Sequence, residues 1–411
     1  MFSTLMVKST ETVRTVFVWV IRKLFRQVLR FPISRQNRMN LNRHPVIATA
    51  SFLMISCAAI GSRLSLPDPL KTREGDRIQT QTEWETIRRP EILELFRSKV
   101  YGRASTARPD DLRFDIIEET RSAMSGRATR KLVAIRFTGP AGEGMIPLVI
   151  FIPNETRKPV PGFLLICHRS REENIDPTRQ NRTPFWPAEE IVLRGYTAAA
   201  YHISDLAPDD KFHFRKGVIG LFDDLDEAPL PDAWGAVAAW AWGASRAMDY
   251  FESDPEIDES RMAVVGHSRG GKAALWCGAK DERFELVISN NSGCTGAALA
   301  RRKKGERIKR INRKFPHWFS NNYKQYNGQE NKLPIDQHKL IALMAPRLVY
   351  VASAEKDKHA DPKGEYLACV HADPVYRLYG ITGLAEREMP RKKRPLHDGH
   401  IGYLSGRDDM T

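Results

Sequence analysis

The stretch "RMAVVGHSRGGKAALWCGAKD" (residues 261–281) carries three kinds of local signal in a row. The run Met262–Val265 is short, apolar and β-branched, which reads as a buried strand. Glycines then flank a central serine, Gly266-His267-Ser268-Arg269-Gly270. The segment from Arg269 to Ala279, with Ala273, Ala274, Leu275 and Ala279, reads as a helix. A strand, a tight turn and a helix in this order put Ser268 on a strained turn at a strand's C-terminal end. Side chains two residues to either side would crowd that turn, which accounts for Gly266 and Gly270. The helix that follows starts at Arg269, so its first amides and the positive end of its dipole face whatever reacts at the serine.

Working outward, the same alternation continues on both sides. "RKLVAIRF" (130–137) and "MIPLVIFIPN" (145–154) read as a hairpin joined by a Gly/Pro turn. "PGFLLICHRS" (161–170) and "GYTAAAYHISD" (195–205) are strands that run into polar loops. "WGAVAAWAWGASRAMDYFES" (234–253) is a long helix. "FELVISNNSG" (284–293) and "RLVYVASAEKD" (347–357) are two more continuous apolar strands. Earlier, "EWETIRRPEILELFRSKVYG" (83–102) leans helical, with Ile87, Ile92, Leu93 and Phe96 at helical spacing. Strands apolar on both faces that alternate with helices predict an α/β domain: a mostly parallel central sheet in a three-layer sandwich.

The 411 residues are 42% hydrophobic and 28% charged, ordinary for a globular chain. The net charge of +14 is uneven. Residues 1–38 hold eight Lys or Arg against Glu11 alone, and the rest of the chain has only a mild basic bias. With no basic stripe interleaved with stacking aromatics, nucleic acid is not an expected partner. "MNLNRHPVIATASFLMISCAAIGS" (39–62) has a short basic start, an apolar run and small residues after it. It reads as an export signal starting at Met39, with a lipoprotein-like Cys57 as an alternative anchor. The basic, amphipathic segment before it reads as an interfacial helix or as an N-terminal extension. The expected division is therefore residues 1–62 as extension and signal, and 63–411 as one catalytic domain. Export to the periplasm or the outside follows, with membrane anchoring through the N-terminal segment as the alternative. Cys167, Cys277, Cys294 and Cys369 show no metal-ligand spacing and no dense disulfide framework, so neither metal nor cofactor is expected.

"GHSRGGKAALWCGAKDERFELVISNNSGC" (266–294) resembles the glucuronoyl esterases, carbohydrate esterase family 15, in their bacterial form; the family turn reads G-(C/H)-S-R-x-G-K. "LPDPL" (66–70), "RRPEILELFRSKVYGR" (88–103), "FPHWF" (315–319), "LPIDQHKLIALMAPRLVYVASAEKD" (333–357) and "ADPKGEYLA" (360–368) are similar to that family as well, so the resemblance spans residues 66–403. It implies an α/β-hydrolase fold. It also implies serine-type hydrolysis of the ester between xylan glucuronate and a lignin alcohol, with glucuronoxylan or a lignin–carbohydrate ester as substrate. A monomer is the expected working unit, although nothing in the sequence gives the oligomeric state. By the same resemblance Ser268 is the nucleophile, Arg269 serves the oxyanion, and Lys272, Glu306 and His359 meet the sugar. Glu306 lies in the charge run "RRKKGERIKRIN", where a solvated face is the alternative reading.

Three positions depart from the family pattern. Many members place the triad acid as a glutamate before Ser-Gly, where this chain has Asn291; the acid is then expected after the later strand, at Asp357 or, second, Glu355. The sugar-stacking tryptophan of the family is His359 here. The base position, in a phrase like G-x-H-D-(L/M)-T, is Asp408, and the family's closing helix is missing, so the chain reads as truncated. A carboxylate with an ordinary pKa of about 3.9 is a poor base for serine. His400, or else His397, in "LHDGHIGY" becomes the expected substitute, and both satisfy the chain order Ser…Asp…His. An acetyl-xylan or other carbohydrate esterase, and a silent carbohydrate-binding homologue without the base, are the competing readings.

Overall fold

The computed structural model describes residues 64–391 and 394–406. Met39, Cys57 and Asp408 lie outside the described residues, so the expected export segment and base position are not described. Among the described residues nine strands form a single sheet, in the order β1-β2-β3-β5-β4-β6-β7-β8-β9. The first three are β1 (Arg113–Ser122), β2 (Ala128–Gly139) and β3 (Gly142–Pro153), which run antiparallel to their neighbours. β4 (Val160–Cys167), β5 (Thr197–His202), β6 (Ile257–His267), β7 (Leu286–Asn290), β8 (Leu348–Ala354) and β9 (Ile401–Gly406) are mutually parallel.

The predicted hairpin is β2–β3, closed in register from Ala128↔Pro153 to Gly139↔Gly142. β1 was not anticipated. It is an edge strand with most residues exposed, so "RFDIIEETRS" carries no clean apolar alternation. β9 was not anticipated either; its six residues are all buried, a short run that follows the loop-like "LHDGH".

The central strands feed two cores by simple alternation. Leu164, Ile166 and Val264 point to one face, while Phe163, Leu165, Ala263 and Val265 point to the other. The first face is covered by Arg89–Phe96 (α1), Ala236–Phe251 (α2), Arg269–Lys280 (α3) and Pro362–Leu378 (α4). The second is closed by Phe185, Trp186, Ile191 and Val192. In α1 and the turns before it, Trp84, Ile92 and Phe96 are buried, whereas Ile87, read as part of the apolar stripe, is exposed. Cys167, Cys277, Cys294 and Cys369 are buried and unbonded to one another. Among the described residues no helix is long and apolar enough to cross a membrane.

The order matters for function. From β4 the chain moves outward to β5, then crosses back to place β6 on the other side of β4. The crevice outside the C-terminal ends of β4 and β6 is thus the point where the winding reverses, where open parallel sheets collect their ligands.

Candidate active site

Ser268 occupies that crevice. Its backbone is held at φ 53°, ψ −120°, a conformation that L-residues avoid, between the end of β6 and the start of α3. The turn is over-determined by neighbours. The Ser268 amide donates to the Asn290 carbonyl at 2.8 Å, and its own carbonyl accepts from the Lys272 amide at 3.2 Å. A Cβ on Gly266 would lie 2.1 Å from the Gly270 carbonyl oxygen, and one on Gly270 would lie 2.7 Å from that of Ile166. Both glycines are therefore required by backbone contact, as the sequence pattern predicts.

Arg269, next in the chain, is fixed from several sides. Its guanidinium pairs with Asp209 and lies 5.0 Å from the Trp318 ring centre and 5.4 Å from that of Phe315. Asp209 is itself clamped: Trp318 Nε1 donates to its Oδ1 at 2.7 Å, and His317 Nε2 lies 2.9 Å from the same oxygen. Burial pushes the Asp209 carboxyl upward, but His317, Arg269 and Trp318 outweigh it and hold the pKa below the ordinary value. The Arg269 Nε is buried and has no hydrogen-bond acceptor among the described residues. One donor of a rigid cation beside Ser268 is thus left unspent.

Lys272, one turn along α3, is 3% exposed. Its Nζ donates to the carbonyls of Ser292 and Cys294, each at 2.5 Å, and lies 3.7 Å from Glu306 Oε2. The solvated-face alternative for Glu306 is set aside: its side chain is 9% exposed, and its Oε1 lies 3.3 Å from His359 Nε2. Burial opposes ionisation of Glu306, yet His359 and Lys272 together bring its pKa below the ordinary value. The backbone supports this pairing, since the Glu306 amide donates to the His359 carbonyl at 2.8 Å. His359 is half-exposed, so one face of this cluster opens to solvent.

Asn291 and Asp357 meet at the same end of the sheet. Asn291 Oδ1 accepts from the Ala354 amide at 2.7 Å, and its Nδ2 lies 3.3 Å from Asp357 Oδ2. The amide thereby ties the end of β7 to the end of β8. The other Asp357 oxygen caps a turn, accepting from the His359 and Ala360 amides, both at 3.1 Å.

The expected base is not brought here. His400 precedes β9, and its Nδ1 bonds the Pro346 carbonyl at 2.8 Å, before β8. In the parallel register, Ile401 is level with Val349, Val287 and Val264, so His400 stands at the N-terminal edge of the sheet. Three strand spacings and five residues of rise separate it from Ser268, roughly 20 Å. His397 is also away from the serine. Leu396 pairs with Tyr403 on the outer side of β9, four strand spacings from β6, about 19 Å. The correction has a simple physical source: a residue before a parallel strand and one after it lie at opposite edges.

Sequence reading did not single out Asp209, His317 or Trp318 as parts of this site. In the sequence "FPHWF" is informative only as a phrase similar to the family's, and Asp209 only as the start of a loop. Their link to Arg269 depends on contacts 60 and 109 residues apart in sequence.

Comparison with known proteins gives a consistent picture. A family profile described as "Glucuronyl esterase, fungi" matches residues 192–380. A solved structure of a glucuronoyl esterase from Solibacter usitatus is 40% identical, covering 84% of this chain and 94% of that one, with a TM-score of 0.77. A carbohydrate esterase from an unknown prokaryotic organism is 39% identical over 85% of this chain and 87% of its own length. A family 15 glucuronoyl esterase structure from Teredinibacter turnerae is 30% identical, covering 83% and 84% of the two chains, with a TM-score of 0.75.

Proposed function

The chain belongs to the glucuronoyl esterases of carbohydrate esterase family 15 and has their α/β-hydrolase fold, and we propose that it hydrolyses esters of glucuronate, such as those joining xylan to lignin, through Ser268. Ser268 Oγ loses its proton as it bonds to the ester carbonyl carbon, the C–O bond to the alcohol breaks and the alcohol leaves with a proton, and water then cleaves the acyl-serine, giving glucuronate and restoring the serine O–H. The observation that carries this reading is the Arg269 guanidinium: held by Asp209 and two aromatic rings, it keeps a buried Nε–H that meets no acceptor among the described residues, beside the positive-φ serine. A preorganised cation stabilises the tetrahedral oxyanion more than a neutral donor would, and pays no reorganisation when charge develops.

Lys272, Glu306 and His359 support a polar sugar as the acyl part. A cation and a carboxylate together, half-open to solvent, offer both donors and acceptors to ring hydroxyls, which a bare acetyl group would not use. His359 presents a smaller apolar face than the tryptophan found in the family, so it contributes polar pairing with Glu306 in place of stacking. Asp357 is the proposed carboxylate at the end of β8. The export read from residues 39–62 would place this chemistry outside the cytoplasm, where such polymers are met.

The position of His400 favours a second reading, binding of the sugar ester without turnover. Two measurements separate the readings. A fluorophosphonate adduct on Ser268 with turnover of benzyl glucuronate supports the esterase. Absence of both in folded protein that binds glucuronate supports the binding protein. Turnover of an acetyl ester but no glucuronate ester would remove the glucuronate assignment.

A further inference from the structure

Beneath the site lies a carboxylate that the proposed chemistry does not use. Glu365, in the first turn of α4, is fully buried. Its Oε1 accepts from the Gly293 amide at 2.9 Å and faces Ser292 Oγ at 3.4 Å, and its Oε2 accepts from Ser353 Oγ at 2.5 Å. Ser292 Oγ is bound in turn by Ser289 Oγ at 2.7 Å and by the Ala297 amide at 2.8 Å. Among the described residues no arginine or lysine touches this carboxylate directly, although buried charges ordinarily sit against a counter-ion.

The counter-ion is one peptide away. The Gly293 N–H that reaches Glu365 and the Ser292 C=O that receives Lys272 Nζ belong to the same peptide unit. In a trans peptide these two groups point in opposite directions. Glu365 and Lys272 therefore grip one peptide plane from its two sides, anion on the N–H and cation on the C=O. Each hydrogen bond polarises the peptide in the sense that strengthens the other. Gly293, at φ +59°, turns the chain so that the next carbonyl but one, on Cys294, also reaches Lys272 Nζ. The direct acid partner of Lys272, Glu306, sits farther off at 3.7 Å and is shared with half-exposed His359.

We propose that Glu365 is a positioning residue for Lys272: acting through the Ser292–Gly293 peptide, it holds the turn whose two carbonyls seat the ammonium, leaving Glu306 available to a bound sugar. Two features of the buried layer bear on this. A packing role alone would be met by an apolar side chain of similar volume, without the desolvation cost of a carboxylate. Burial pushes the Glu365 pKa up to about 7, against the lowering effect of Ser353, the Gly293 amide and Lys272, so an ionisable group here costs stability that an apolar side chain would not. The inference rests on the reading of Lys272 as a sugar-binding residue.

The test is a double-mutant cycle on equilibrium binding of methyl glucuronate, measured calorimetrically in a Ser268→Ala background so that hydrolysis plays no part. Lys272→Ala is expected to weaken binding about tenfold or more, as loss of a charged hydrogen-bond donor does. Glu365→Ala is expected to weaken it about tenfold with Lys272 present and to have no further effect once Lys272 is alanine. Glu365→Gln, which keeps an acceptor for the Gly293 amide, is expected to lose about threefold or less, again only with Lys272 present; it carries the cycle if the alanine variant does not fold. Equal losses in both backgrounds would overturn the positioning role while leaving the sugar-site reading intact. An unchanged affinity for Lys272→Ala would overturn that reading, and the positioning role with it.

Discussion

The two edges of the parallel sheet carry similar polar loops but do different things. At the C-terminal edge, the ends of β6, β7 and β8 bring together Ser268, Asn290, Asn291 and Asp357, bridged by short backbone and amide contacts. At the N-terminal edge, His400 and Pro346 meet in a connection that only closes the sheet. Strand polarity makes the difference. Every parallel strand delivers its following residue to one edge, so residues far apart in sequence converge there. A histidine that enters a strand is delivered to the other edge, whatever its distance from the serine along the chain.

The comparison can be broken first at the serine. Ser268→Ala is expected to abolish ester turnover, a loss of about 10³-fold or more; retained turnover would detach the chemistry from this edge. Next is the cation beside it. Arg269→Ala is expected to lower kcat by about 10²-fold, and Asp209→Asn by a smaller factor, because the oxyanion donor would be removed in one case and loosened in the other. A rise in KM with kcat unchanged would reassign Arg269 to ground-state binding. Glu306→Gln is expected to raise KM for a glucuronate ester several-fold while leaving hydrolysis of a simple acetyl ester within about twofold, since only the sugar loses a partner.

A pH experiment sharpens the role of the buried layer under this edge. The folded pKa of Glu365 is raised from 4.5 to about 7, mainly by burial. A raised carboxyl contributes stability that is fully present below the unfolded value and is lost as pH rises through the folded value. The melting temperature is therefore expected to carry a downward component between about pH 4.5 and 7 that is absent in Glu365→Gln. Identical pH profiles for the two proteins would show that the carboxylate is not held as described. The smallest effect belongs to the opposite edge: His400→Gln is expected to leave kcat/KM within about twofold, because the side chain is roughly 20 Å from the serine.

Much of the first region was legible in the sequence because its signals are local. The elbow is written in Gly266, Ser268 and Gly270: the contact that requires Gly266 is with Gly270 itself, and although Gly270 is held against Ile166 of a distant strand, the pattern that names all three spans five residues of chain. The inner strands are apolar on both faces, which identifies them before any contact is known. β1 escaped because an exposed edge strand has no face to bury, and β9 because a six-residue strand holding two glycines and Ser405, after a histidine-bearing loop, resembles the loop's own end. The acceptor for Arg269 and the carboxylate behind Lys272 were not legible for a different reason. Asp209 and Glu365 act through contacts 60 and 72 residues distant, and only the fold brings those partners together. The order Ser…Asp…His was satisfied by His400 but is silent on which end of a strand the histidine takes.

The most direct test of the account is intact-protein and peptide mass spectrometry after fluorophosphonate treatment of folded wild type and His400→Gln. The account predicts one adduct, on Ser268, formed at similar rates in both proteins. An unlabelled Ser268 in folded wild type, or labelling that disappears with His400, would contradict it.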